Sequence, residues 1–158
     1  MKVVFASDHA GFELKETLVH FVGTLGFETE DLGPFQYNAQ DDYPDFMSKV
    51  AQAFSENPRE IRGIIMGGSG QGEAIVANRF PNVRAVVFNG QYEPKDGRIV
   101  PDEIAISRTH NDANVLSLGA RFLSESDARD AVKKWLETPF PEEERHLRRI
   151  KKIEQYPN

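Results

Sequence analysis

Short, almost wholly apolar runs recur along this chain, and helical spacing follows them. Lys2–Ser7 reads KVVFAS, Ile61–Met66 reads IRGIIM, Val83–Phe88 reads VRAVVF and Val115–Leu118 reads VLSL. Runs too short for a helix and apolar at successive positions are the pattern of strands buried on both faces. After the first run, Leu14, Leu18, Phe21, Val22 and Leu25 recur at steps of three and four, and Gly26 is placed to end that helix in a left-handed turn. Phe46, Met47, Val50, Ala53 and Phe54 mark a second amphipathic helix, Glu73–Arg79 a third, and Ala128–Leu136, with the lone tryptophan Trp135, a fourth. Phe27–Leu32 alternates apolar and acidic residues, which suits a strand near a sheet edge. Strand and helix alternating in this way predict a doubly wound parallel α/β sheet, a Rossmann-like three-layer sandwich of about five strands. At 158 residues one domain spanning 1–158 is expected.

Two segments fall outside the alternation. Asn89–Ile106, polar and containing Pro94, Gly97 and Pro101, is expected to be a long surface loop. From Pro139 the tail runs through prolines, then Glu142, Glu143 and Glu144, then basic residues to Lys152, the charge order that a helix dipole favours. Its apolar content (Leu147, Ile150, Ile153) is thin for a helix buried in its own domain, which predicts that residues 139–158 reach over a neighbouring subunit.

Charge and composition narrow the chemistry. The formal charge of −6 argues against a nucleic-acid partner. With no cysteine, thiol catalysis, disulfides and thiolate zinc sites are excluded. The four histidines show no paired ligand spacing, and the Asp41-Asp42 and Glu142–Glu144 runs read as solvated acids, so no metal and no cofactor is expected. The N-terminus meets Asp8 too early for a secretory signal and no apolar run approaches ~20 residues, so a soluble cytoplasmic protein without a membrane partner is the default.

In a doubly wound sheet, ligands sit beyond the carboxyl ends of the strands. Three loaded segments are expected there: Ser7-Asp8-His9, Gly67–Glu73, and the region before His110. The middle one, GGSGQGE, sits between a strand and a helix, so its backbone N–H groups form an anion hole. It is not a Walker loop, because no Lys-Ser or Lys-Thr follows, and it does not complete a dinucleotide fingerprint. Glu73, in the first turn, is by itself better explained as an ordinary helix-capping acid favoured by the dipole. Beside an anion hole, a carboxylate suits abstraction of a proton alpha to a carbonyl. Arg108–Asn114 is a dense polar cluster that a capped turn would also explain, and His20 is expected at solvent or the core edge. Arg145 and Arg149, four apart, share a helix face, with His146, Arg148 and Lys151 crowding the same segment; most such basic faces are merely solvated, but two arginines at this spacing can also grip a phosphate.

Together, Asp8-His9-Ala10-Gly11, Asp42-Tyr43-Pro44-Asp45, GGSGQGEAIVANR, His110-Asn111-Asp112-Ala113-Asn114-Val115 and Arg145-His146-x-x-Arg149 resemble, in order and spacing, the ribose-5-phosphate isomerase B family, which also contains galactose-6-phosphate isomerase subunits. The resemblance covers nearly the whole chain. It implies a homodimer or tetramer and metal-free aldose–ketose isomerisation of a sugar phosphate through an enediol. The substrate implied is ribose 5-phosphate. Another pentose or hexose phosphate of the galactose- or allose-6-phosphate type is the alternative, and a non-catalytic phosphosugar-binding module is a third reading. By the resemblance Glu73 is the base, while another branch of the family uses a cysteine where this chain has Gly67. It further implies that Gly68, Gly70, Gln71 and Gly72 form the anion hole with Ser69 supporting the enediolate. Asp8 and His110 would open the sugar ring, and Tyr43 and Asn111 would contact substrate. His9, Arg121, Arg145 and Arg149 would bind the phosphate, some of them across a dimer interface. The 89–106 segment is longer than the family's usual connection at that point.

Overall fold

The computed structural model describes residues 1–56 and 60–156. Among these residues five strands, β1 (Lys2–Ser7), β2 (Glu28–Asp31), β3 (Ile61–Gly67), β4 (Ala85–Phe88) and β5 (Val115–Gly119), form one sheet in the order β2-β1-β3-β5-β4. Every pairing is parallel. Among the described residues six α-helices accompany the sheet: α1 (Phe12–Thr24), α2 (Tyr43–Glu56), α3 (Gln71–Ala77), α4 (Glu103–Asn111), α5 (Glu125–Glu137) and α6 (Glu144–Ile153). The expected Rossmann-like sandwich is what forms.

The period of two along each strand divides the core into two layers. Val3, Phe5, Ile64, Met66, Leu116 and Leu118 face one side, where they meet Leu18 and Val22 of α1, Ile104 of α4, and Val132 and Trp135 of α5. Val4, Ala6, Ile65 and Val115 face the other, against Met47, Val50 and Phe54 of α2 and Ala77 of α3. Gly63 is glycine because α2 and β5 crowd it: a Cβ there would stand 2.9 Å from Val50 Cγ1 and 3.1 Å from Val115 Cγ2. β2 is the edge strand and Gly26 closes α1 at φ 89°, both as the spacing predicts.

Two segments read as loop from the sequence are partly helical. The expected loop 89–106 ends early, because α4 begins at Glu103 and carries the cluster before His110 as helix rather than as a capped turn. EIAISRTHN is a weak helix former, but Asp102 caps it (Ala105 N–H to Oδ1, 2.8 Å) and Ile104 anchors it in the core. Lys134 of α5 holds the same Asp102 carboxylate at 2.5 Å and lowers its pKa. Similarly, Tyr43-Pro44-Asp45 is the first turn of α2, not loop; proline is tolerated there because its N–H would have no helical partner. Among the described residues no helix is long and apolar enough to cross a membrane.

Candidate active site

Strand order reverses between β1 and β3, and the carboxyl ends of these two neighbours open the crevice where doubly wound folds bind ligands. Asp8 N–H donates to Met66 O at 3.1 Å, which stitches the two strand ends together. Behind them, the short 3-10 turn His9–Gly11 presses onto β3 so closely that a Cβ on Gly11 would lie 2.6 Å from Met66 Cβ. Asp8 caps that turn, its Oδ1 accepting from Ala10 N–H (2.8 Å) and Gly11 N–H (3.1 Å).

The glycine loop 67–70 leads into α3 through Gly70, which is left-handed at φ 73°. Gly67 O and Gly68 O accept from the backbone N–H groups of Ala120 (2.8 Å) and Arg121 (3.2 Å). Tyr43 covers the other end; a Cβ on Gly72 would stand 2.8 Å from its ring. The Arg121 guanidinium lies against Gly68, 3.2 Å from where a Cβ would be. Glu73 is only 4 % exposed. Burial drives its carboxyl pKa up, its own backbone N–H partly opposes this, and the negative charge of Asp8 adds to the rise. A side chain on Gly67 would fall inside the Glu73 carboxylate, so positions 67 and 73 compete for one volume.

His9 is held by Asp41, whose Oδ1 accepts from the His9 backbone N–H (3.2 Å) and meets ring Nδ1 at 2.7 Å. Asp41 thus corrects the reading of Asp41-Asp42 as solvated acids: its side chain is 5 % exposed. The sequence signal was an acid near an aromatic-rich loop. Tyr37 meets the His9 ring edge-on, with centroids 6.4 Å apart. His20 is exposed, as expected.

Not every expected site residue is here. Asp8, His9, Tyr43, Gly68–Glu73 and Arg121 gather at the carboxyl edge of the sheet, whereas His110, Asn111, Arg145 and Arg149 belong to its amino edge. The expectation that the region before His110 lies at the carboxyl ends is therefore corrected. α4 runs back across the sheet, so its last turn delivers the chain to the start of β5. Arg84, the residue before β4, donates from Nε to Asn111 O at 3.1 Å, and Gly63 near the start of β3 donates to Asn114 O at 2.9 Å. The seven residues of β3 span roughly 20 Å, so Glu73 and His110 of one chain are separated by about that distance.

At the amino edge, His110 stacks on His146 of α6 with ring centroids 4.4 Å apart and planes 14° from parallel. Burial, followed by the adjacent Arg145, lowers the His146 pKa, and its ring Nε2 has no hydrogen-bond partner among the described residues. α6 buries His146 and Ile150 and leaves Leu147 and Ile153 exposed, with Arg145 and Arg149 turned to solvent; Tyr156, beyond the helix, is exposed too.

The comparisons agree with this architecture. Residues 3–153 match the family model described as Ribose/Galactose Isomerase. The chain belongs to that family. It is 34 % identical over 157 residues to the ribose-5-phosphate isomerase B of Mycobacterium tuberculosis, covering 99 % of this chain and 90 % of the relative. Among solved structures, the ribose-5-phosphate isomerase B of Mycoplasma genitalium with bound ribulose-5-phosphate superposes with a TM-score of 0.88 at 35 % identity, over 98 % of this chain and 95 % of the other. The Clostridium thermocellum ribose-5-phosphate isomerase B gives 0.85 at 38 % identity, over 98 % and 96 %. Both family members share this chain's fold from end to end.

Proposed function

We propose that this chain interconverts ribose 5-phosphate and ribulose 5-phosphate through an enediolate, with Glu73 as the base. The observation that carries the reading is a buried carboxylate with a raised pKa, fixed in the first turn of α3 beside a glycine loop that borders the strand-order switch. A base whose pKa moves toward neutrality takes a carbon-bound proton more effectively. Glu73 removes the proton from C2 of the open-chain aldose, leaving an enediolate across C1 and C2. The loop N–H groups from Gly68 to Gly72, with the Ser69 hydroxyl, stabilise its oxygen charge. A proton passes from O2 to O1, and Glu73 returns its own proton to C1, giving the ketose with no net loss or gain. The identity with isomerases that carry the ribose-5-phosphate name over nearly the full chain supports the choice of sugar.

Asp8 and His110 assist ring opening, Tyr43 and Asn111 contact the sugar, and His9, Arg121, Arg145 and Arg149 hold the phosphate. Because His110, Asn111, Arg145 and Arg149 stand a strand's length from Glu73 in their own chain, they act on the site of a second copy. In a two-fold dimer the amino edge of each chain covers the carboxyl edge of the other, giving two identical sites. The exposed apolar side chains of α6 fit that role.

The test is turnover of the purified chain on a panel of pentose and hexose phosphates, with solvent-deuterium incorporation at the migrating position. Ribose 5-phosphate is expected to have the highest kcat/KM. Binding without exchange of any sugar proton would refute the enzymatic reading.

A further inference from the structure

A glycine-rich loop has a problem as an anion hole: glycine peptides flip at little cost, and a flipped plane presents a carbonyl oxygen where an N–H is needed. Here four consecutive carbonyls are tied down. Those of Gly67 and Gly68 are held by backbone donors at the β5–α5 corner, as described above. The next two depend on side chains. Asn89, the residue after β4, donates from Nδ2 to Ser69 O at 3.0 Å, and the buried Ser117 of β5 donates from Oγ to Gly70 O at 2.7 Å. The Gly70 carbonyl also accepts Ala74 N–H, at 3.1 Å.

Apart from Ala74 N–H, which belongs to α3 itself, these tethers come from the β4–β5 side of β3. In a planar trans peptide the N–H points opposite to the C=O. Fixing the carbonyls of Ser69 and Gly70 toward β4 and β5 therefore turns the N–H groups of Gly70 and Gln71 away from those strands, where Gln71 N–H also reaches Ser69 Oγ at 3.4 Å. A second observation shows that the space around Asn89 is reserved. A Cβ on Gly119 would fall on Asn89 Oδ1 and stand 3.0 Å from Ser69 O, so only glycine at 119 lets the amide reach the loop.

We propose that Asn89 and Ser117 are positioning residues for the isomerisation. They hold the peptide planes 69–70 and 70–71 with their N–H groups toward the enediolate oxygens. This rests on the isomerase reading above and adds to it two residues that touch neither sugar nor phosphate.

Asn89→Asp, which keeps the shape and removes the donor, and Ser117→Ala test the assignment. For each full-length variant the measurements are kcat and KM on ribose 5-phosphate and inhibition by two phosphorylated compounds. One is a hydroxamate mimic of the enediolate, the other a polyol phosphate with the same phosphate but no enediolate oxygens. A misaimed donor is expected to lower kcat by roughly 10- to 100-fold, somewhat less than outright removal of an oxyanion-hole donor. Hydroxamate affinity falls in parallel, while KM and polyol-phosphate affinity stay within about threefold of wild type. Equal weakening of both inhibitors would mean a merely structural role, and wild-type kcat would mean none; either overturns the proposal. Should Asn89→Asp fail to fold, Ser117→Ala, a smaller side chain in the same place, carries the same readout. A wild-type chain inactive on every sugar phosphate would refute the isomerase reading, whereas an active wild type with unselective variants refutes only this inference.

Discussion

Gly67→Ala separates the effect of this site on activity from its effect on folding. The new Cβ would lie inside the Glu73 carboxylate, and the three atoms nearest to it all belong to the outer part of that one side chain. Glu73 rotates away and the backbone stays. Overpacking of a filled space costs about 1–3 kcal/mol. Moving a buried, reluctantly ionised carboxylate toward water offsets part of that cost. A net loss of ~1 kcal/mol lowers Tm by roughly 2–4 °C in a chain of this size. The catalytic loss is of another order. Displacing a positioned general base costs about 10²–10⁴ in rate, or ~3–5 kcal/mol of barrier. The assay is ribulose 5-phosphate formation beside a thermal melt of the same sample. Retention of near wild-type kcat in Gly67→Ala would refute the placement of the base. A chain that no longer unfolds cooperatively would refute the claim that only a side-chain end occupies this space. Adding Glu73→Ala to Gly67→Cys, which puts a thiol in the vacated volume, is expected to recover activity relative to Gly67→Ala.

Glu73→Gln is expected to lower kcat by about 10²–10⁴ and also to stabilise the fold at neutral pH. The native carboxyl has a raised pKa, so folding stability declines as pH climbs through the ordinary carboxylate range to that raised value. The Tm advantage of the variant should be widest at neutral pH and close in acid; a pH-independent gap would count against a buried ionised base. The acid limb of wild-type kcat/KM should lie above the usual glutamate range for the same reason. Mixing inactive Glu73→Gln and inactive His110→Asn subunits should restore roughly a quarter of wild-type activity, because a two-fold hybrid holds one intact site. No recovery after verified subunit exchange would place both residues in one chain's site. Arg149→Ala should raise KM for phosphorylated substrates by roughly 10- to 100-fold, the worth of a hydrogen bond to a charged group, and leave kcat nearly unchanged; an unaltered KM would remove Arg149 from the phosphate grip.

The legible parts of the site were those written in contiguous residues. Asp8-His9 and GGSGQGE each lie at the end of an apolar strand run, and the parallel sheet carries both to the same crevice. The misplaced parts were those whose position depends on chain direction. His110 sits before a strand, and without the helical turns of Glu103–Asn111 nothing in a polar stretch says that it is delivered to the amino edge. Asp41 looked solvated because its burial comes from a loop folding back onto His9, 32 residues away in sequence. Asn89 and Ser117 carry no local signal: one opens a polar segment and the other is a serine in a buried strand.

By itself, the sequence determined that strands and helices alternate, that glycines make a strand-to-helix turn, and that a carboxylate follows it within one turn. These are consequences of spacing and backbone freedom, which act over a few residues. Only the tertiary structure decided that Glu73 fills the volume above Gly67, and that Asn89 after β4 and Ser117 of β5 hold the loop's carbonyls. It alone decided that His110 and the arginine pair stand at the far edge from the base. Those outcomes depend on which strand lies beside which and where a helix ends. Long-range packing sets both, and neither is encoded in any one segment.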